Sequence, residues 1–347
     1  MGRRTKIIII ASIVVLALLF YSPQLVSQYW VMVLISCLIM VCLSYGFRLL
    51  FLTGRFTIGH IAFAGVGAYA SALLVIKADI PVLNNPWTGL FFGALVAGIV
   101  ALAIGYIILR VPGLMFAILT MAVVELVRYV LIMWDSLTGG PAGVLDIPSF
   151  SLPGYGSFGI NQTPYLYLII IIAVVTIAVM YRIERTRVGL SFYAMALNDR
   201  LARHVGMDTF KFRLICFAIT GFFAGMVGAF LAHYWHYVSP QAFILMSVSV
   251  ISALGIQVVA VAGGLLSPLG PIVGAFVLVL LSEGLREVRE YAGIFFGGIL
   301  LFVIFMLPGG LVTLPRVLIN MPGNARNWPD TARRKWLDIR ARFVPAS

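Results

Sequence analysis

Apolar runs near the length needed to cross a bilayer follow one another along almost the whole chain, and this repetition leaves few folds open. Ten of them are expected to be spans: Ile7–Tyr21, Tyr29–Leu52, Phe56–Lys77, Trp87–Leu109, Pro112–Trp134, Pro164–Tyr181, Lys211–His233, Phe243–Leu265, Pro268–Val288 and Gly293–Leu314. In lipid every backbone amide must find its partner inside the protein, so unbroken apolar runs of this length read as helices. Composition agrees. Hydrophobic residues make up 62% of the 347 and charged residues 10%, against ~25% charged in soluble domains. A soluble fold could not cover that much apolar surface. The expected class is an all-α polytopic membrane protein with about ten transmembrane helices.

The net charge of +12 would suit a nucleic-acid partner if it were gathered on one folded face. Of the 24 Lys and Arg, however, three lie in the first six residues, seven between Arg182 and Arg213, and seven after Leu314. These segments flank spans, so the charge reads as membrane orientation and no nucleic-acid partner is expected. The passage from Arg182 to Arg213 sets seven cations against Glu184, Asp199 and Asp208, which marks it as a cytoplasmic loop. With the N-terminus inside and ten alternating spans, Arg55, Arg110, this loop and the basic tail all fall on the cytoplasmic side. The long loop from Asp135 to Thr163, whose charges are Asp135 and Asp146, falls outside. Both termini are thus expected in the cytoplasm. MGRRTK and the apolar run after it have the regions of a signal peptide, but no small-x-small site follows, so a retained anchor is expected. The expected organisation is an anchor helix and first outer loop over 1–28 and a transmembrane domain over 29–314. The domain includes the outer loop 135–163 and the cytoplasmic loop 182–210, and a basic cytoplasmic tail over 315–347 follows it. Thr331–Phe343 in that tail reads as a basic helix for the anionic inner leaflet, so membrane lipid is an expected partner.

Small residues are patterned too. Gly59, Ala62, Gly65, Ala68 and Ala72 recur every three or four residues and share one helical face. Gly221-x-x-x-Gly225 with Gly228, and Gly270-x-x-x-Gly274, repeat the device. Close helix packing is one reading of these glycines. A sliding contact or a broken helix lining a solute route is the other, with Gly59 and Pro112–Gly113 as the favoured breaks. Glu125 and Arg128 share a face of the fifth run. At ~1.5 Å per residue back from Trp134, Glu125 lies roughly 13 Å inside the membrane, where an uncompensated charge is costly. They read either as a structural pair or as a polar patch on a solute path. His60 reads as a packed, hydrogen-bonded residue or as part of that path. Glu283, Arg286, Glu287, Arg289 and Glu290 are expected at the outer end of the ninth run.

No lysine follows a glycine, so the phosphate-cradling G-x-x-x-x-G-K-[ST] loop is impossible here. Neither H-E-x-x-H nor G-x-S-x-G occurs. Cys37, Cys42 and Cys216 sit singly in apolar runs and read as buried thiols. His233 and His236 flank Tyr234 and Trp235 and read as an interfacial belt, not as metal ligands. No catalytic residue, metal site or cofactor is expected, and the chain is not expected to be an enzyme. Within the central loop, a short helix from Leu190 to Arg203 is expected, ended by Gly206. Phe192, Met195, Ala196, Asp199 and Arg203 would lie on one face of it.

Gly189, Ala194, Asn198–Asp199, Ala202 and Gly206 keep the spacing of a known pattern. They resemble the cytoplasmic coupling segment of permease subunits in ABC importers, in detail the M-type permease of the branched-chain amino-acid (Liv) systems. Gly59-His60-x-Ala62-Phe63-x-Gly65, Glu125-x-x-Arg128 and Thr138-Gly139-Gly140 are similar to further motifs of that family. Ser239-Pro240, Gly270-Pro271-x-x-Gly274-Ala275, Glu283-x-x-Arg286-Glu287 and Pro308-x-Gly310-Leu311 follow in family order. The resemblance spans roughly Tyr29 to Leu314. Leu197, Pro141–Ala142 and the closing LPGGL depart from the usual pattern.

The resemblance implies an inward permease for branched-chain or related amino acids in the bacterial cytoplasmic (inner) membrane, passing it many times. A second permease subunit, two cytoplasmic ATPase subunits that bind the ATP, and an extracytoplasmic solute-binding protein would complete it. Gly189, Ala194, Asn198, Asp199, Ala202 and Gly206 would couple to the ATPase. Gly59, His60, Gly65, Glu125, Arg128, Thr138, Gly139 and Gly140 are the candidates for the path. A permease of the same family for urea or short amides is the alternative. A stand-alone ion-coupled transporter is more distant and would need a coupling carboxylate, for which Glu125 is the candidate.

Overall fold

The computed structural model describes residues 27–77, 84–152, 156–159, 161–243, 253–284, 297–298, 301 and 309–313. The first expected span, most of the last, and the whole 315–347 tail lie outside the described residues. Among the described residues, six helices are long and apolar enough to cross a membrane: α1 (Gln28–Phe51), α2 (His60–Lys77), α3 (Pro86–Ile108), α4 (Leu114–Met133), α6 (Gln162–Glu184) and α9 (Thr209–Trp235). They match the second to seventh expected spans within a few residues. Between them lie α5 (Asp135–Thr138), α7 (Arg187–Leu197) and α8 (Asp199–His204); after them come α10 (Ala253–Gly263) and α11 (Gly270–Gly284). The chain is an all-α polytopic membrane protein.

Packing begins with the glycines. A Cβ on Gly228 of α9 would stand 1.8 Å from the Ala64 carbonyl of α2, and one on Gly67 would stand 2.2 Å from that of Gly225. Gly93 of α3 meets the Gly67 carbonyl in the same way, at 2.4 Å. Lipid supplies no hydrophobic force between helices, so backbones this close gain dispersion contacts that larger residues would forbid. The seam uses Ala64 and Gly67, one step round α2 from the expected stripe. Gly59 and Gly65 of that stripe face Thr120 and the Phe243 ring instead. The helical α2 starts only at His60, and residues 55–57 before it carry no helix, so the expected break at Gly59 is a late helix start. A second group gathers on α1, whose C-terminal half is buried all round and packs on α6, α9, α10 and α11.

Polar contacts sort the two ends of the bundle. One end holds Arg48 with Glu184, Arg213 with the Thr53 carbonyl, and Arg55 with the carbonyls of Val111 and Leu109. The other end holds Lys77 with the carbonyls of Ser136 and Leu137, and Trp87 with that of Ser151. The loop after α4 is built there. It contains α5, an antiparallel bridge from Val144 to Val238, and a hairpin of β1 (Ser151–Leu152) and β2 (Gly156–Ser157). Phe150 and Phe158 anchor it, buried beside Tyr165. His233 is not an interfacial residue. It is fully buried, with Nδ1 donating to the Pro148 carbonyl at 2.7 Å and Nε2 meeting the Ser71 hydroxyl at 2.9 Å. Since a carbonyl only accepts, the ring pins the loop to α2 and α9.

Candidate functional site

The loop between α6 and α9 folds as two short helices rather than the single one expected. Asn198 takes an extended backbone (φ −155°, ψ 99°), and its side chain accepts from the Leu201 amide at 3.0 Å, capping α8. Gly206, at φ +84°, ends α8 as expected. The Gly206 amide donates to Arg203 at 2.9 Å and that of Met207 to Ala202 at 3.1 Å, the paired bonds of a glycine-terminated helix.

The face that carries Phe192 and Met195 turns toward the bundle, where each is 2% exposed. Gly189 sits so tightly on the end of α6 that a Cβ would stand 1.9 Å from the Glu184 carbonyl. Ala202 is buried, Ala194 is half-buried, and Asn198 and Gly206 are exposed. Asp199 is engaged within the chain: its two oxygens form ion pairs of 2.8 Å with Arg203 and Arg213. Arg213 in turn donates to the Thr53 carbonyl at the end of α1. Burial, with Arg213 beside it, pulls the nearby Arg55 guanidinium down to about 10. Arg55 has no carboxylate of its own among the described residues and bonds to carbonyls instead. The outward face of α7–α8 is mixed, with Arg187, Asn198, Arg200 and Arg203 exposed on it beside large apolar side chains. Leu190 (69%), Leu197 (81%), Leu201 (63%) and Val205 (71%) are exposed on the polar loop. Leu197 ends α7 and the extended Asn198 separates it from Leu201, so no single helical spacing in the sequence marks these side chains.

The path candidates fall into three places. Thr57, Gly59, His60, Thr120 and Gln257 gather in the interior, all buried. The Ile58 amide donates to the Thr120 hydroxyl at 2.9 Å, and Gln257 of α10 donates to the Thr57 carbonyl at 3.1 Å. His60 lies beside Gly46 and Phe47, and its ring nitrogens have no side-chain partner among the described residues, only the backbone of Gly46 nearby. Such a group pays desolvation without return, a cost that water or a polar solute would relieve. Gly65 packs on Phe243. Glu125 and Arg128 form a 2.8 Å ion pair on α4, the least buried of the long helices. Thr138 donates to the carbonyls of Leu131 and Trp134 and ends the α4–α5 turn, and Gly139 and Gly140 follow it with positive φ. These three places do not meet in one pocket.

Comparison with known proteins fits this arrangement. Residues 29–304 match the family model for the branched-chain amino acid transport system, permease component. The high-affinity branched-chain amino acid transport system permease LivM of Escherichia coli K12 is 27% identical over 325 residues, 87% of this chain and 74% of the relative. LivM of Salmonella typhimurium LT2 is 28% identical over 316 residues, 85% of this chain and 72% of the relative. The autoinducer 2 import system permease LsrC of Photorhabdus laumondii is 24% identical over 301 residues, 84% and 83% of the two chains. No solved structure matches at a significant level. A match over most of the chain, together with the membrane bundle, places this protein in the family of permease components of branched-chain amino acid transport systems.

Proposed function

We propose that this permease carries branched-chain or chemically related amino acids inward across the bacterial inner membrane, driven by an ATPase seated on α7–α8. The observation that carries this reading is the exposed row of Leu190, Leu197, Leu201 and Val205 on the basic end of the bundle. Large apolar side chains left exposed on one short charged loop fit a protein contact. The opposite face of α7–α8 is seated on the bundle through Phe192 and the Asp199–Arg213 pair, which presents the outward face to a partner. The chain is itself a transport subunit rather than an enzyme. Two ATPases, a second permease and an outer solute-binding protein complete the importer, with ten spans and both termini inside. The buried Thr57–His60–Thr120–Gln257 group and the Glu125–Arg128 pair are the polar stations a zwitterion would meet on the way. The substrate class comes from the LivM relatives.

The test is co-purification of the ATPase with the chain, followed by amino-acid uptake in proteoliposomes. Leu197→Glu with Leu201→Glu should leave the fold intact and remove the ATPase. Retention of the ATPase, or uptake by the chain alone on an ion gradient, would overturn the reading.

A further inference from the structure

One buried ion pair joins four elements at the inner end. Arg48 of α1 is fully buried, and its Nη1 and Nη2 donate to the two carboxylate oxygens of Glu184, the last residue of α6, at 2.8 Å each. Its Nε donates to the Leu265 carbonyl, between α10 and α11, at 2.9 Å. The fourth member comes from α7: the Tyr193 hydroxyl donates to Glu184 Oε1 at 2.8 Å. Burial, and then the bond to Glu184, push the Tyr193 hydroxyl up to about 12, so it stays protonated and keeps donating at any physiological pH.

The remaining contacts of α7 leave room for motion. A cleft of about 320 Å³ lies beside Phe192, walled by Leu49 of α1, Ile183 of α6, and Cys216 and Ile219 of α9. A helix that bridges an apolar cleft can rock, and a bidentate guanidinium–carboxylate pair is rigid in direction. Buried pairs of this kind add little stability over an apolar substitute, so their use lies in fixing one arrangement against another.

We infer that Tyr193, Glu184 and Arg48 form the link through which displacement of α7 is delivered to α1 and to the α10–α11 turn. They are positioning residues, since none of them touches solute or ATP. The link deepens the proposed function, because it needs an ATPase acting on α7. The α10 end of the linked unit bears Gln257, which bonds to the irregular 57–59 segment beside His60, so the displacement arrives at the buried polar group.

The test is uptake per ATP hydrolysed in proteoliposomes holding the assembled importer. Tyr193→Phe removes only the hydroxyl. It should retain the ATPase and hydrolyse ATP within about twofold of wild type while uptake per ATP falls tenfold or more. A role in folding alone would lower hydrolysis and uptake together, and that result overturns the link, as would unchanged uptake per ATP in Tyr193→Phe. Loss of the ATPase from Tyr193→Phe would also overturn it, by making the residue part of the docking face. If the wild-type chain fails to hold an ATPase, the proposed function falls and the link with it. If wild type holds it and Tyr193→Phe transports normally, only the link falls.

Discussion

Replacing Glu184 by Ala strands the Arg48 guanidinium. Arg48 is 0% exposed and Glu184 9% exposed, so solvent screens the pair little. Removing one partner of such a pair costs about 3–5 kcal/mol, because the other charge stays buried without compensation. Replacing both, Arg48→Met with Glu184→Met, removes the charge problem. What remains is chiefly the Leu265 carbonyl without its donor, about 1–3 kcal/mol. The double variant is therefore expected to be more stable than Glu184→Ala by about 2 kcal/mol. Denaturant titration in one detergent, followed by tryptophan fluorescence, measures both variants on the same scale. A double variant no more stable than the single would refute the reasoning. So would a loss below about 1 kcal/mol for Glu184→Ala, a value expected of a surface pair.

Gly228→Val should disrupt the α2–α9 seam, because even the first added carbon meets the Ala64 carbonyl at 1.8 Å. It should cost more than about 3 kcal/mol in the same titration, beyond ordinary overpacking. Gly113→Ala meets no atom within 4 Å, but its φ of 63° with ψ of −141° lies in a region kept almost wholly for glycine, so it should cost about 1–3 kcal/mol, with uptake retained. Asp199→Asn leaves Arg213 and Arg203 without their carboxylate and should loosen α8. Faster amide exchange across 199–206 than across α9 would show it. His60→Phe should keep the fold, judged by the same titration, and lower the uptake rate at least threefold. Normal uptake would remove His60 from the path.

Much of the bundle was legible because hydrophobic length is a physical requirement of a bilayer. The six long helices fell where the apolar runs lie, and Gly206 ended α8 as a residue free to take positive φ. The direction of the loop helices was not legible. Periodicity placed Phe192, Met195 and Asp199 on one face but gave no sign of which neighbour that face meets. Asp199 read as a contact for another molecule, and its partner Arg213 is fourteen residues on, brought near by the turn at Gly206. The Arg48–Glu184 pair lies 136 residues apart and crosses two helices, a distance no local pattern reports. In the interior, Gly59 and His60 were found from spacing, but Thr57, Thr120 and Gln257 beside them are single polar residues in apolar runs and became a group only through packing.

The central claim is that an ATPase grips the exposed leucine row from the inner side. Cys37, Cys42 and Cys216 are buried, so a single introduced thiol, Leu197→Cys, can be followed with a membrane-impermeant maleimide. Labelling in inside-out vesicles alone, abolished when the ATPase is bound, is the predicted result. Labelling of that thiol on intact cells, or labelling indifferent to the ATPase, would contradict the account.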